Sequence, residues 1–173
     1  MKNAILLVAF LAMTTMLFAC SATIEGEKEK TLEDVEQIFN KEPKKTNEDI
    51  DELSFRLPFT ASIVEESDHN VVIERSNETF VLFHHLNEEA GNDVVYSMTT
   101  NSNEDDWMIN ETFEEDGQFG YVLLRELGEE KYELVTGIDH VKMTTISELG
   151  DVSKNAKWMM ETVRSAQWKD NSE

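Results

Sequence analysis

The chain has 173 residues, with 36 Asp and Glu against 15 Lys and Arg, for a formal net charge of −21 at neutral pH. That imbalance excludes nucleic acid as a partner, because displacing counterions from a phosphate backbone takes clustered basic side chains and the sequence has no basic stripe. The single cysteine, Cys20, excludes an intramolecular disulfide, a four-cysteine zinc site and a two-thiol redox centre.

Lys2 precedes an uncharged run from Ala4 to Thr23, the form of a secretion signal with a positive start, an apolar middle and small residues at its end. The run closes on Leu17-Phe18-Ala19-Cys20-Ser21, which resembles the lipobox of bacterial lipoproteins, Phe18 being a bulky departure from that pattern. The resemblance implies cleavage before Cys20, a diacylglyceryl group on its sulfur and a further acyl chain on its amino group. Two or more chains give stable anchoring where one gives only reversible binding. It implies a lipid-anchored protein on the extracytoplasmic face of the cell membrane. Two other readings stand beside it. At ~20 residues the run is long enough to remain as a membrane helix, and Ala19-Cys20-Ser21 can serve as an ordinary signal-peptidase site that releases the chain. All three export the bulk of the protein.

Residues 1–19 are thus read as signal peptide, 20–30 as lipidated cysteine and polar tether, 31–168 as one domain and 169–173 as a tail. A mature chain of this length buries roughly 70% of its unfolded surface, enough for one core without disulfides. Thr31 with Asp34 three places on opens a short helix whose Leu32, Val35, Ile38 and Phe39 share a face, and Pro43 closes it. Short β-branched and aromatic runs then predict strands at Phe55–Val64, Asn70–Arg75, Thr79–Leu86, Asp93–Thr100, Trp107–Phe113, Phe119–Leu127, Tyr132–Thr136 and His140–Ile146. Asp116-Gly117 is the strongest hairpin signal among them. Strands so close in sequence pair antiparallel. Alternation places Trp107, Ile109 and Phe113, then Phe119, Tyr121, Leu123 and Leu127, on one packed face.

After Asp151 or Ser153 as a cap, Val152, Ala156, Met159, Val163 and Ala166 form a helical stripe that covers this face, widened by Trp158, Met160 and Trp168. The fold class is α+β: a curved antiparallel β-meander of about seven or eight strands, a C-terminal helix packed on it and a short N-terminal helix near an edge. The sequence of tether, short helix, Leu57-Pro58-Phe59, a Thr136-Gly137-Ile138 turn and a last helix with Met159-Met160-Glu161-Thr162-Val163-Arg164-Ser165 resembles small domains of unknown function. Those occur on lipoproteins of Gram-positive, spore-forming bacteria, and the resemblance brings no catalytic or ligand residue.

No catalytic residues and no cofactor are indicated. The chain lacks a Gly-x-Ser-x-Gly elbow and an HExxH pair. His84 and His85 point to opposite faces of a strand and cannot share a metal without a bulge, while His69 and His140 stand apart near turns. The acidic groups Glu104-Asp105-Asp106 and Glu114-Glu115-Asp116 are candidate cation ligands. A strand separates them by ~20 Å, so they are two sites or none, and neither has EF-hand spacing. The expected role is a lipid-anchored, non-enzymatic module that meets the membrane through Cys20 and binds an unknown protein or small-molecule partner. A carboxylate-based cell-wall or phosphate-ester hydrolase and a low-affinity divalent-cation binder are the alternatives.

Overall fold

The computed structural model describes residues 23–50, 52–85, 91–101 and 106–169. The signal segment, Cys20, Glu104 and Asp105 lie outside them. The chain is α+β, with every strand pair antiparallel. Helix α1 (Ile24–Phe39) comes first, then β1 (Glu48–Asp49), β2 (Leu53–Phe55), β3 (Ala61–Ser67), β4 (Asn70–Arg75) and β5 (Glu78–His84). Helix α2 (Val94–Thr100) precedes β6 (Ile109–Glu115), β7 (Gln118–Gly128), β8 (Lys131–Ile138) and β9 (Val141–Glu148). A short 3-10 turn leads into α3 (Val152–Arg164), and β10 (Gln167–Trp168) ends the described chain.

Seven strands form the main sheet in the order β3-β4-β5-β9-β8-β7-β6, so the meander breaks once: after β5 the chain crosses to the far edge and returns strand by strand. A second, three-stranded sheet has the order β1-β2-β10. The tight turns follow local chemistry. Asp116 and Gly117 both take positive φ, 52° and 79°, the pattern of a two-residue hairpin turn, as the Asp-Gly pair predicts.

The main core lies between one sheet face and two helices. Val71, Ile73, Phe80, Leu82, Val122, Leu124, Leu134 and Met143 are fully buried there against Val35 and Phe39 of α1 and Val152, Ala156, Met159 and Val163 of α3. The predicted stripe on α3 is the packed one, but the helix ends at Arg164, before Ala166 and Trp168. Beyond this stripe α3 also buries Asn155, Trp158, Met160 and Thr162, with Trp158 meeting Phe80 of β5 edge-on at 4.5 Å. Its first turn is served from the neighbouring helix, where Glu27 Oε2 accepts from Ser153 N at 3.2 Å; the Asp151 side chain makes no capping bond.

Asn155 ties α3 to the sheet. Its Nδ2 donates to Ser147 Oγ at 3.0 Å and Glu78 Oε1 at 2.9 Å, and its Oδ1 accepts from Trp158 Nε1 at 3.3 Å. Asn155→Ala removes this partner from the buried Ser147 and Trp158 and is expected to cost about 2 kcal/mol in urea unfolding; a loss under 0.5 kcal/mol, the size of a surface change, would show that water replaces the amide.

Several expectations are corrected. Helix α1 begins at Ile24, so most of the supposed tether is helical; Thr23, whose hydroxyl accepts from Gly26 N at 3.2 Å, is the cap, and Thr31 is a buried mid-helix residue. The single strand Phe55–Val64 is two, because the chain turns at Pro58, whose carbonyl accepts from Ala61 N at 2.9 Å, leaving Phe59 96% exposed. The Thr136-Gly137-Ile138 turn is instead the end of β8, and the chain reverses one step later at Asp139-His140.

Asp93–Thr100 is helix α2 rather than a strand. Asn92 Oδ1 accepts from Val94 N at 3.1 Å, and the hydroxyls of Thr99 and Thr100 bond back to the carbonyls of Val95 and Tyr96 at 2.7 and 3.1 Å. Val95 is buried and Tyr96 packs on Phe119 and Tyr121, so tertiary contacts overrule the β-branched composition. The sheet is therefore packed on both faces. Tyr121, Leu123 and Val135 form a second small core with Tyr96, Trp107 and Phe119, opposite the face that carries Ile109 and Phe113, while Leu127 is exposed.

Candidate functional site

Three histidines that are far apart in sequence meet at one end of the main sheet. His84 is the last residue of β5, His69 sits in the β3–β4 turn and His140 in the β8–β9 turn. Strand order brings them together, since β5 lies between β4 and β9. The end of β5 is pinned from both sides, His84 N donating to His69 O and His85 N to His140 O, each at 3.0 Å. Trp168 of β10 closes the group: its ring stacks on His140 with centroids 4.9 Å apart and meets His84 edge-on at 5.6 Å, while His69 and His84 meet edge-on at 6.1 Å.

Beside this cluster is a cavity of about 590 Å³ lined by Ile50 and Glu52 from the β1–β2 connection, by Glu66, Ser67, Asp68 and His69 around the β3–β4 turn, and by His84. His84 is 3% exposed, and its Nδ1 is sealed from water without a hydrogen-bond partner. Burial pushes its pKa below the ordinary histidine value, and the His69 charge adds to this; Glu52 pulls the other way, His140 lowers it further and Glu66 opposes. The ring is held neutral by its surroundings.

The lining does not assemble a nucleophile. Ser67 Oγ donates to Asn70 O at 3.2 Å, across its own turn, and is not paired with an imidazole. Among the described residues no group of three or more His, Asp or Glu side chains is placed to hold a metal ion. What the site offers is a recess with exposed carboxylates at its mouth and a neutral imidazole in its wall, suited to holding a polar or cationic group.

Comparison with models of known protein families gives no match, and comparison with curated proteins gives none.

The acidic residues singled out in the sequence fall elsewhere. Asp106 is exposed ahead of β6, whereas Glu114 and Glu115 end that strand and Asp116 begins its turn, so the two groups sit at opposite ends of β6. Glu114 and Glu115, with Glu36 and Glu111, rim a groove of about 640 Å³ between α1 and β6, floored by Leu32, Phe39 and Phe113. The histidine cluster is the feature that sequence reasoning missed. His69 and His140 each looked isolated beside a turn; the β4–β5 hairpin sets the His69 turn at the end of β5, and only the non-sequential pairing of β5 with β9 brings the His140 turn to the same place.

Proposed function

We propose that this protein is a lipid-anchored domain on the extracytoplasmic face of the cell membrane that binds a protein or small-molecule partner without transforming it. The observation that carries the reading is the Leu17-Phe18-Ala19-Cys20 sequence at the end of an apolar run, with the chain's only cysteine at the lipid-accepting position. The geometry suits a tethered domain. Helix α1 starts at Ile24, four positions past Cys20, a reach of at most ~14 Å even when extended. A domain held that close and carrying this many carboxylates is repelled by anionic headgroups, which favours presenting its surface outward. The binding role rests on the recess beside His84, which combines polar recognition with a partly apolar wall at Ile50 and has no paired nucleophile in its lining.

Cys20→Ala tests the anchor. In a Gram-positive host the wild-type chain is expected in the membrane fraction with a mass gain of two or more acyl chains. The variant is expected to lack the gain and either leave the membrane or accumulate as uncleaved precursor. Wild-type protein found unmodified in the medium, cleaved after Ser21, would sink the anchoring reading.

A further inference from the structure

The last strand of the described chain has two residues, as few as β1, and is held at few points. β10 pairs with β2 through Gln167↔Ser54 and Trp168↔Leu53, and Lys169 N donates to Glu52 O at 3.0 Å. Its one large side chain, Trp168, lies on His140 and against His84. Every ring it meets there is an imidazole, the side chain whose charge changes between about pH 5 and 8.

We propose that His84 and His140, with His69 packed behind His84, form an acid-sensitive clasp on Trp168, which holds β10 against β2 while the His84 ring is neutral and releases it when that ring takes up a proton. The reasoning starts at His84. A proton there needs a partner or water, and Nδ1 has neither while the clasp is shut. Lifting β10 admits water to the ring. Three rings within contact distance of one another or of the same indole also cannot all be cationic without mutual repulsion.

The charged groups facing His84 are His69 and Asp68 from the β3–β4 turn, Glu66 from β3, Glu52 ahead of β2 and His140 from the β8–β9 turn. Beyond Trp168 lies Lys169, whose Nζ is 3.8 Å from Asp49. The carboxylates attract a proton to the cluster, but Glu66 and Asp68 are exposed, so water screens them, whereas the opposing burial acts on His84 directly.

The sign follows. Closed, the His84 pKa is below 6.5; open, it returns to that value, so the open state binds more protons and gains population as pH falls below about 6.5. Opening thus sets in well above the range near about pH 4 where carboxylates titrate. This device operates whether or not Cys20 is lipidated.

The test is fluorine NMR on the full-length chain in detergent micelles, with fluorotryptophan at positions 107, 158 and 168 and Trp168→Phe for assignment. From about pH 7.5 to about pH 5, the range over which histidine titrates, the Trp168 signal is expected to move to its solvent-exposed position while those of Trp107 and Trp158 stay. Amide protection at Trp168 and Lys169 should fall roughly tenfold, as local opening requires. His84→Leu should abolish the transition, and His140→Gln should shift its midpoint to lower pH. If His84→Leu does not fold, His140→Gln carries the comparison. A Trp168 signal that ignores pH, three signals that move together, or an unchanged midpoint in the folded variants overturns the proposal.

Discussion

Gly137→Ala is expected to destabilise the protein by about 3 kcal/mol, the upper end of what overpacking a core costs, although it adds a single methyl. Gly137 lies in β8 directly opposite Tyr121 in β7, and a Cβ built on it falls inside the van der Waals envelope of the Tyr121 ring. The ring lies across the bare backbone of the neighbouring strand, the arrangement in which an aromatic side chain covers a strand glycine. It has no room to retreat. Tyr121 is fully buried, with Tyr96 at 5.3 Å and Phe119 at 6.3 Å between ring centroids. The same burial raises its phenol pKa above the ordinary tyrosine value, so the group stays protonated throughout the working range. Urea unfolding checks the prediction, and a double-mutant cycle with Tyr121→Ala locates the clash: much of the cost of Gly137→Ala should vanish once the ring is gone. A single-mutant loss below about 1 kcal/mol, within the range of an ordinary tolerated swap, would mean that the ring moves aside freely.

Gly137 also illustrates how far the sequence can be read. Its neighbours Thr136 and Ile138 were open to reading as a turn because a glycine flanked by a β-branched residue and an apolar one carries no local sign of which it will be. The deciding partner, Tyr121, is a register pair sixteen positions earlier. Elsewhere local signals were enough. Asn70–Arg75 is the predicted strand residue for residue, and Val152, Ala156, Met159 and Val163 are the buried stripe of α3. In both cases the period of the pattern matches the element and one face meets the core.

What failed depended on contacts distant in sequence. Val94 to Thr100 is rich in strand formers yet helical, because Val95 is buried and Tyr96 docks on Phe119 and Tyr121, residues that alternation had assigned to the face under the C-terminal helix but that lie on the opposite one. The unbroken burial of Gly120–Leu124 in β7 is the trace of that second layer: a strand covered on one side only would alternate. The histidines follow the same logic. Each is placed by its own turn or strand end, but their meeting is a property of strand order, which alternation does not encode. In the same way, Glu27 serves the first turn of α3 from a helix more than a hundred residues earlier.

Asp139→Ala is the second large effect expected, again about 3 kcal/mol, from two backbone donors left without an acceptor at roughly 1–3 kcal/mol each. Asp139 is 3% exposed in the β8–β9 turn, and a single oxygen, Oδ1, accepts from Gly91 N and from Phe119 N, both at 2.8 Å. Its own amide donates to Phe119 O at 2.8 Å. One side chain therefore joins the start of β7, the turn after β8 and the segment that leads into α2. That is the junction the crossover needs, since the chain leaves β5 and must be fixed near β7 before it can return along β6. Asp139 also holds φ at 50°, a conformation that aspartate and asparagine tolerate better than alanine, so the variant adds backbone strain to the lost bonds. Asp139→Asn separates the contributions. The amide oxygen can still accept twice and the backbone preference is kept, so a loss of about 1 kcal/mol is expected, the difference between a charged and a neutral acceptor. Thermal and urea unfolding of both variants provide the comparison, with hydrogen exchange at Gly91 and Phe119 as the local readout. Equal losses for alanine and asparagine would show that the negative charge, rather than the acceptor geometry, holds the junction together.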